Sequence, residues 1–462
     1  MSGCPQHDEQ HDESGATAEK PIPEVPGLPV LGCVPRMLRG MEEFFLDSYR
    51  THGPVFRVPV PGRRMLVLAG AEAATFLGSR RAREVLRQID LVREVADEFE
   101  ASESLVGMDG DRHLELRAAL MHEYSDRITE GHLGTLVERL DEFLDHDWPA
   151  GADVHVMRAV QDLVVDQLGT LMTTPVPRKA ANDLRYFWSQ IIAVVFANLR
   201  PPLWLKLPRY RRARDRARRL GRDYLRSVLA GRRHDRRLPP LISRLLDLHE
   251  QQPDLVPREN LNLLALIPYF AGMDTVANAL ASAVYAITKH PDVHARVVAE
   301  ADELFDGRPV DVAALRAMTA TNGAIMETMR LWPVVVGLPR RTTQEFVFES
   351  YRIPADTDVF FAIAIPHLME EYFPNPRAFD VDRYSPPRLE HRAKGAYSPY
   401  GRGTHRCIGQ SLGEVLMALM AARIFHTRTV TLPSPDYVLP RTLRPAPGPS
   451  KRFSVRVGER TR

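Results

Sequence analysis

Cysteine is scarce in this chain, with three in 462 residues. Cys4 and Cys33 lie near the amino terminus, and Cys407 lies far from both. This distribution cannot build a disulfide framework or the clustered thiolates of zinc and iron–sulfur sites. It is typical of a protein that works in a reducing compartment.

The chain also has no large excess of charge and no long apolar run. Its formal net charge is +2, so overall charge indicates no particular partner. No uninterrupted apolar segment reaches the ~20 residues that a membrane-spanning helix needs. Residues 1–20 are polar and resemble neither a secretory signal nor a membrane anchor. We therefore predict a disordered arm there, no transmembrane segment and a cytoplasmic protein.

The third cysteine lies in a loop broken by glycines, just before an apolar helical run over residues 411–425. Gly403 and Gly409 allow tight bends and the close approach of a flat ligand. At the start of a helix, free N–H groups and the helix dipole favour a thiolate over a thiol. His405 and Arg406 add donors or positive charge beside Cys407, so the loop is a candidate site for a soft metal ligand.

The longest apolar pattern covers residues 259–290 and is apolar nearly all round, which predicts a buried central helix kinked at Pro268. It contains Ala271-Gly-Met-Asp274-Thr275. A buried aspartate is costly without a partner or a function. A threonine can bond back to a carbonyl one turn earlier and loosen the helix. The alternatives are a helix cap or an Asp–Thr pair satisfied within the core.

Two pairs of charged residues have helical spacing. Glu327 and Arg330 are three residues apart in a helix predicted over residues 312–331, so they share a face and can pair. His113 and Arg117 are four apart and also share a face. Each spacing alone is as typical of a solvated surface helix.

Together these patterns resemble the cytochrome P450 superfamily, the haem-thiolate monooxygenases. The family's cysteine loop is Phe-x-x-Gly-x-Arg-x-Cys-x-Gly, and here Tyr400 replaces Phe and His405 replaces Arg. The central helix motif, the Glu-x-x-Arg helix and a later arginine, Arg383, follow in family order. The resemblance implies a mainly α fold with small β-sheets. Residues 21–462 would then form a single domain.

The same resemblance implies a haem b cofactor between the central helix and the cysteine loop. Cys407 would bind the iron, and Asp274 and Thr275 would guide protons to the reacting oxygen. Glu327, Arg330 and Arg383 would form a structural network under the haem. The other residues assigned to haem binding are His113, Arg117, Ala271, Arg340, Tyr400, His405 and Gly409. Arg341 is adjacent to Arg340, which leaves the choice between them open.

The implied activity is insertion of one oxygen atom of O2 into a C–H bond of a lipophilic small molecule. A terpenoid, steroid, fatty acid or polyketide-like compound is expected, as in secondary metabolism. The substrate pocket is predicted to include Phe187, Phe270, Val334, Val335 and Leu338, with residues 334–338 as a strand. A haem-thiolate isomerase, a peroxygenase and a non-catalytic sensor are the alternatives.

The partners implied are a separate ferredoxin and ferredoxin reductase, which would supply electrons. Arg402 and Arg406 would lie on the cysteine side, where they could help dock an acidic donor. No motif for reading nucleic acid is present.

An arginine run covers residues 209–222, after an apolar helix predicted over residues 182–199 and a proline-bounded apolar segment, residues 201–208. We interpret the run as a solvated helix face, with Tyr210, Ala213, Ala217 and Leu220 as its inner stripe. A nucleic-acid or membrane-surface patch is the alternative. The apolar segment could contact a membrane or a hydrophobic substrate.

Overall fold

A computed structural model describes residues 20–89, 93–173, 175–196, 200–232, 239–442 and 447–460. The predicted arm, residues 1–20, therefore lies outside the described residues except for Lys20. The predicted end of the apolar helix at residue 199 also lies outside them.

Helices make up most of the described chain. They are α1 (Val34–Met37), α2 (Met41–His52), α3 (Gly70–Leu77), α4 (Arg80–Val85), α5 (Arg93–Asp97), α6 (Gly110–Leu120), α7 (Asp126–Glu130), α8 (Leu133–Asp147), α9 (Val156–Met172), α10 (Arg178–Ile191), α11 (Pro208–Arg232), α12 (Pro240–Gln251), α13 (Leu261–Lys289), α14 (Pro291–Leu304), α15 (Val312–Ala317), α16 (Thr319–Leu331) and α17 (Gln410–Thr427).

The strands are short and form small sheets. They are β1 (Val55–Val60), β2 (Arg63–Ala69), β3 (Leu86–Arg87), β4 (Asp153–His155), β5 (Leu338–Thr342), β6 (Phe346–Phe348), β7 (Tyr351–Ile353), β8 (Asp358–Ala362), β9 (Arg428–Thr431), β10 (Arg441–Thr442), β11 (Gly448–Pro449) and β12 (Ser454–Glu459). The main sheet has the order β1-β2-β8-β5-β3, in which β2 and β8 are parallel and the other pairs are antiparallel. The remaining sheets are β4-β12-β9, β6-β7 and β10-β11.

The central helix is α13, which packs against α9, α11, α16 and α17. It is buried along most of its length and continues through Pro268. Because it is apolar on every face, it can only be stable inside the fold. The predicted buried central helix is confirmed.

Two helices, Arg258–Lys289 and Gly403–Thr427, are long and apolar enough to cross a membrane by length and composition. The most apolar windows of these two are 72% and 61% buried inside the fold, which is what core helices of a folded domain show. They are weak evidence for a membrane span.

Residues 334–337 do not form the predicted strand, which begins only at Leu338. Successive side chains of a strand point to opposite faces. Val334 and Val335 instead both face one cavity, so the backbone there cannot be a regular strand. A Cβ on Gly337 would lie 2.4 Å from the Phe361 carbonyl oxygen, so this close approach requires glycine.

The helix predicted over residues 312–331 is also interrupted. It breaks at Met318, whose φ of −67° and ψ of 85° are not helical. The Asn322 side-chain nitrogen donates to the carbonyl oxygens of Leu315 and Met318, both at 2.8 Å. The bond to Leu315 satisfies a carbonyl that the break leaves without a helical partner, whereas the Met318 carbonyl also accepts from the Asn322 backbone N–H at 2.9 Å.

Candidate functional site

A cavity of about 500 Å³ lies between α13 and the cysteine loop. Most of its lining is apolar, and the side chain of Cys407 faces into it. Its lining includes Ser104, Trp188, Phe270, Ala271, Thr275, Val276, Val334, Val335, Leu338, Tyr400, His405, Cys407, Gly409 and Gly413.

The cysteine loop is held by its backbone. The Cys407 N–H donates to the Tyr400 carbonyl at 2.9 Å, which closes the loop before Gly409 caps α17. Gly403 has a φ of +74°, and a Cβ there would lie 2.4 Å from the Leu77 carbonyl oxygen. Only glycine fits this position, which fixes the loop against α3.

The thiol of Cys407 is surrounded by protein except where it faces the cavity. Burial raises its pKa, and the Gly409 N–H and the charge of Arg117 oppose that shift only in part. The helix start thus favours the thiolate in the predicted direction, but burial opposes it more strongly. A bound cation would stabilise the sulfur further as a thiolate.

A basic cluster lines a second cavity, of about 720 Å³, which shares His405 with the first. Arg340 is 6% exposed, and burial lowers its pKa to about 10. The Arg340 guanidinium donates to the Gln88 side-chain oxygen at 3.2 Å and to the carbonyl of the preceding residue, Pro339, at 2.7 Å. A buried guanidinium with neutral hydrogen-bond partners is a ready site for an anion. Arg341 instead pairs with Asp358 at 3.0 Å, which favours Arg340 as the anion-binding residue.

His113 and His405 stack beside Arg340, with ring centroids 4.1 Å apart. Burial lowers the pKa of His113 to about 4, and His405 and Arg117 add to that shift. The His405 Nε2 lies 2.9 Å from a carboxylate oxygen of Asp109. Sequence reasoning missed Asp109, because 296 positions separate it from His405.

The Asp274 and Thr275 side chains point in different directions. Thr275 faces the cavity and donates to the Ala271 carbonyl at 2.5 Å, the predicted bond to the previous turn. Asp274 is absent from the lining and accepts a hydrogen bond from Gln161 at 2.8 Å. Burial raises the pKa of Asp274, and the Gln161 bond opposes the shift. The structure therefore does not join the two as a bonded pair.

Four of the five predicted pocket residues line the cavity, and Phe187 does not. Phe187 is fully buried and packs against Phe99, Tyr210 and Phe270. Its neighbour Trp188 lines the cavity and stacks on Phe270 at 5.1 Å. One residue along a helix turns the side chain by ~100°, so adjacent aromatic residues face different surroundings.

The Glu327 network is formed as predicted and is fully buried. Glu327 accepts two bonds from Arg330, both at 2.7 Å, and one from Arg383 at 3.1 Å. Arg330 also donates to the His367 carbonyl at 2.6 Å. The His367 ring in turn accepts from the Ser398 N–H at 3.0 Å, so the network is connected to the cysteine loop.

The two arginines of the cysteine loop differ in exposure. Arg402 is half-buried and donates to the Ser398 hydroxyl and the Tyr397 carbonyl. Arg406 is exposed and bonds Gln410 at 2.9 Å. Of the pair predicted to dock an electron donor, Arg406 is the one available at the surface.

These residues fit a haem group. One thiol faces the first cavity, and in the second cavity, joined to the first at His405, a buried guanidinium lacks an anionic hydrogen-bond partner among the described residues. Gly409 and Gly413 line the cavity, and a Cβ on Gly413 would meet no described protein atom within 4 Å. There is thus open space above the cysteine, as a flat macrocycle requires.

Comparisons with known proteins agree with this arrangement. The family model described as Cytochrome P450 matches residues 22–448. A taxane 10-beta-hydroxylase of Taxus cuspidata is 24% identical over 94% of this chain and 89% of that protein. A cyclooctat-9-en-7-ol 5-monooxygenase of Streptomyces melanosporofaciens is 26% identical over 89% of this chain and 90% of that protein. A retinoic acid-bound cyanobacterial relative of known structure has a TM-score of 0.81 at 21% identity, covering 96% of this chain and 100% of that one.

The chain therefore belongs to the cytochrome P450 family and has its mainly α fold. It is a haem-thiolate enzyme of the monooxygenase type, with protoporphyrin IX haem as its cofactor.

Proposed function

We propose that this enzyme uses O2 to oxidise a lipophilic, terpenoid-like small molecule at a C–H bond. The observation that carries the proposal is an apolar cavity that joins the single thiol of Cys407 to the hydroxyl of Thr275. Two relatives are named for oxidising a taxane and cyclooctat-9-en-7-ol, which supports a terpenoid substrate.

Cys407 would hold the haem iron. The haem carboxylates would be bound by Arg340, His113, Arg117 and His405. The residues beside the haem would be Ala271, Tyr400 and Gly409. The bound haem supplies the oxygen activation, which thiolate ligation promotes. The protein's own contribution is to exclude water with a mostly apolar wall and to hold a few polar groups at defined places in it.

Thr275 is the hydroxyl that the central helix presents to the cavity. Its bond to the Ala271 carbonyl fixes the oxygen and leaves its lone pairs free to accept from a water or a reacting group. Asp274 lies on the other side of the helix, with a raised pKa. We assign it a proton-supply role behind Thr275, which requires its bond to Gln161 to open.

Ser104 supplies a second hydroxyl to the otherwise mostly apolar wall. It is 5% exposed, and its hydroxyl is not part of the hydrogen-bonded networks described above. We therefore expect a substrate that is mainly hydrocarbon, with a polar group that contacts Ser104. Val334, Val335, Leu338 and Phe270 would contact the hydrocarbon part.

Electrons would come from a separate donor of the ferredoxin type, served by its reductase in the cytoplasm. The exposed Arg406 gives that donor a positive contact near the cysteine. Arg406→Glu is expected to slow reduction most at low salt, since surface charge attraction is screened by ions. Arg402→Gln would instead disturb the loop, because its bonds are internal.

The first test is spectroscopic. Purified holoenzyme is screened with terpenoids, steroids and fatty acids for a spin-state shift, and the ligands that shift the spectrum are assayed for oxygenated product. A protein whose ferrous carbonyl complex lacks the red-shifted absorbance of thiolate ligation would refute the proposal.

The second test addresses the proton role. Thr275→Val keeps the shape and removes the hydroxyl, and we expect product formed per electron pair to fall by about 10-fold or more. Thr275→Ser should retain most of the yield. Val276→Ala is the matched control, because Val276 also lines the cavity but has no exchangeable proton. This variant should change the affinity for ligand and leave the product formed per electron pair unchanged.

A peroxygenase or isomerase is the second candidate. It is favoured by the orientation of Asp274, which is bonded to Gln161 and does not reach the cavity. Turnover with peroxide in place of redox partners, at the same rate, would favour a peroxygenase. Turnover of the substrate with neither peroxide nor redox partners would favour an isomerase.

A further inference from the structure

An exposed apolar patch lies between α10 and α11 along the chain. It is formed by the 3-10 turn Pro202–Lys206 and the residue that follows it, and we name it the tip. Leu203, Trp204 and Leu207 are 66%, 40% and 39% exposed. Single exposed apolar residues are common, but three within five positions form a patch that marks an interaction surface.

The tip is bordered by cations without acidic partners. Lys206, Arg209, Arg211 and Arg212 are exposed, and in the part of the chain that the structure describes they form no ion pair. Further along α11 the pattern changes: Arg214 pairs with Glu98, Arg216 with Asp183 and Arg218 with Glu100. The positive charge near the tip is therefore not neutralised by the described residues.

The helix fixes the direction of these cations. Tyr210, Ala213 and Ala217 are buried against the body of the protein, as predicted for the inner stripe of α11. Arg211 and Arg212 lie between these stripe positions and must point outward. Part of the arginine run is thus a solvated face, and part of it is paired with acids.

Two cations also contact aromatic rings near the tip. The Arg200 guanidinium lies 4.4 Å from the centroid of the Trp204 ring, and Arg209 lies 4.3 Å from that of Tyr186. These contacts hold the two guanidinium groups against aromatic rings, in the case of Arg200 the ring of the tip itself. Apolar side chains, an indole and cations thus lie together around the tip.

We propose that the tip and its cations bind the surface of a membrane that contains anionic lipid. The leucines would enter the boundary of the acyl chains, the indole would lie at the headgroup level, and the arginines would contact phosphates. Nucleic acid would use the arginines but gives no reason for exposed leucines.

The test is sedimentation of the full-length holoenzyme with vesicles of phosphatidylcholine, alone or in an equimolar mixture with phosphatidylglycerol. We expect binding to the mixed vesicles that weakens with salt, and little binding to phosphatidylcholine alone. Combined replacement of Arg209, Arg211 and Arg212 by Gln should weaken binding roughly 100-fold. Combined replacement of Leu203, Trp204 and Leu207 by Ser should weaken it by roughly 10- to 100-fold.

Matched controls come from the same helix and from other exposed apolar residues. Arg219→Gln with Arg222→Gln removes two exposed cations about 15 Å or more along α11 from Arg209, and it should change binding little. Val347→Ser with Val438→Ser removes two exposed valines that lie outside the tip. An unchanged ferrous carbonyl spectrum verifies that each variant is folded.

Three outcomes would overturn the proposal. Equal binding to both vesicle types would remove the role of the cations. Unchanged binding after the triple serine replacement would remove the role of the tip. Binding to a random-sequence DNA duplex without binding to mixed vesicles would assign the basic surface to nucleic acid instead.

Discussion

Replacing Glu327 by Gln tests whether the buried network under the cysteine loop is required to hold haem. The substitution keeps the size of the side chain and removes its charge. Glu327 is 0% exposed, and its two arginine partners are 0% and 1% exposed. With Glu390 paired to Arg383 at 2.8 Å, the network holds two carboxylates and two guanidinium groups and is neutral. The Glu327→Gln variant leaves one net positive charge buried.

Loss of one partner from a buried ion pair costs about 3–5 kcal/mol. A typical domain is stable by only about 5–15 kcal/mol, so the variant loses a large part of its stability. The substitution should also disturb the cysteine loop that would hold the haem. Arg330 donates to the His367 carbonyl, and the His367 ring accepts from the Ser398 N–H in that loop. We therefore expect a lower Tm and little or no haem incorporated.

The assay compares the haem content per chain and the Tm of variants expressed in parallel. Tyr384→Phe is the matched control, because it removes one 2.6 Å bond to Glu327 and no charge. It should cost only about 1 kcal/mol and retain haem. A Glu327→Gln protein with full haem content and a Tm close to that of the parent would refute the reasoning.

Three further predictions follow from the site. Arg340→Gln should speed haem loss to apomyoglobin, whereas Arg341→Gln, on the Asp358 side of the strand, should not; equal rates would contradict the assignment. Trp188→Ala should change ligand affinity measured by the spin-state shift, while Phe187→Ala should mainly lower the Tm, because it removes about 3–5 kcal/mol of core packing; the reverse pattern would exchange their roles. Burial lowers the pKa of His367 to about 3, below its ordinary value near 6.5. The stability that depends on neutral His367 is therefore complete above pH ~6.5 and is lost as the pH falls toward 3. The free energy of unfolding should fall by up to about 1.4 kcal/mol per pH unit over that range. Tm measured from pH 7 to 4 should fall less steeply in His367→Gln than in the parent, and parallel curves would contradict this.

The parts of the site that follow from local spacing could be predicted from the sequence. Glu327 and Arg330 share a helix face at any place in a fold, and the glycines around Cys407 define a tight loop before a helix. The central helix was recognisable because it is apolar on every side. The strand prediction was wrong at Val334 and Val335, because both side chains face the cavity and a regular strand would point them to opposite faces.

The chain by itself determined which chemical groups are available: a thiol in a glycine-broken loop before a helix, an Asp–Thr pair in an apolar helix and a carboxylate with its arginine three residues later. Only the tertiary structure decided which way those groups face. It turned Asp274 toward Gln161, Trp188 rather than Phe187 toward the cavity, and His405 toward Asp109. These choices depend on contacts between residues that are far apart in the chain, and on a rotation of ~100° per helical residue that an apolar pattern cannot resolve.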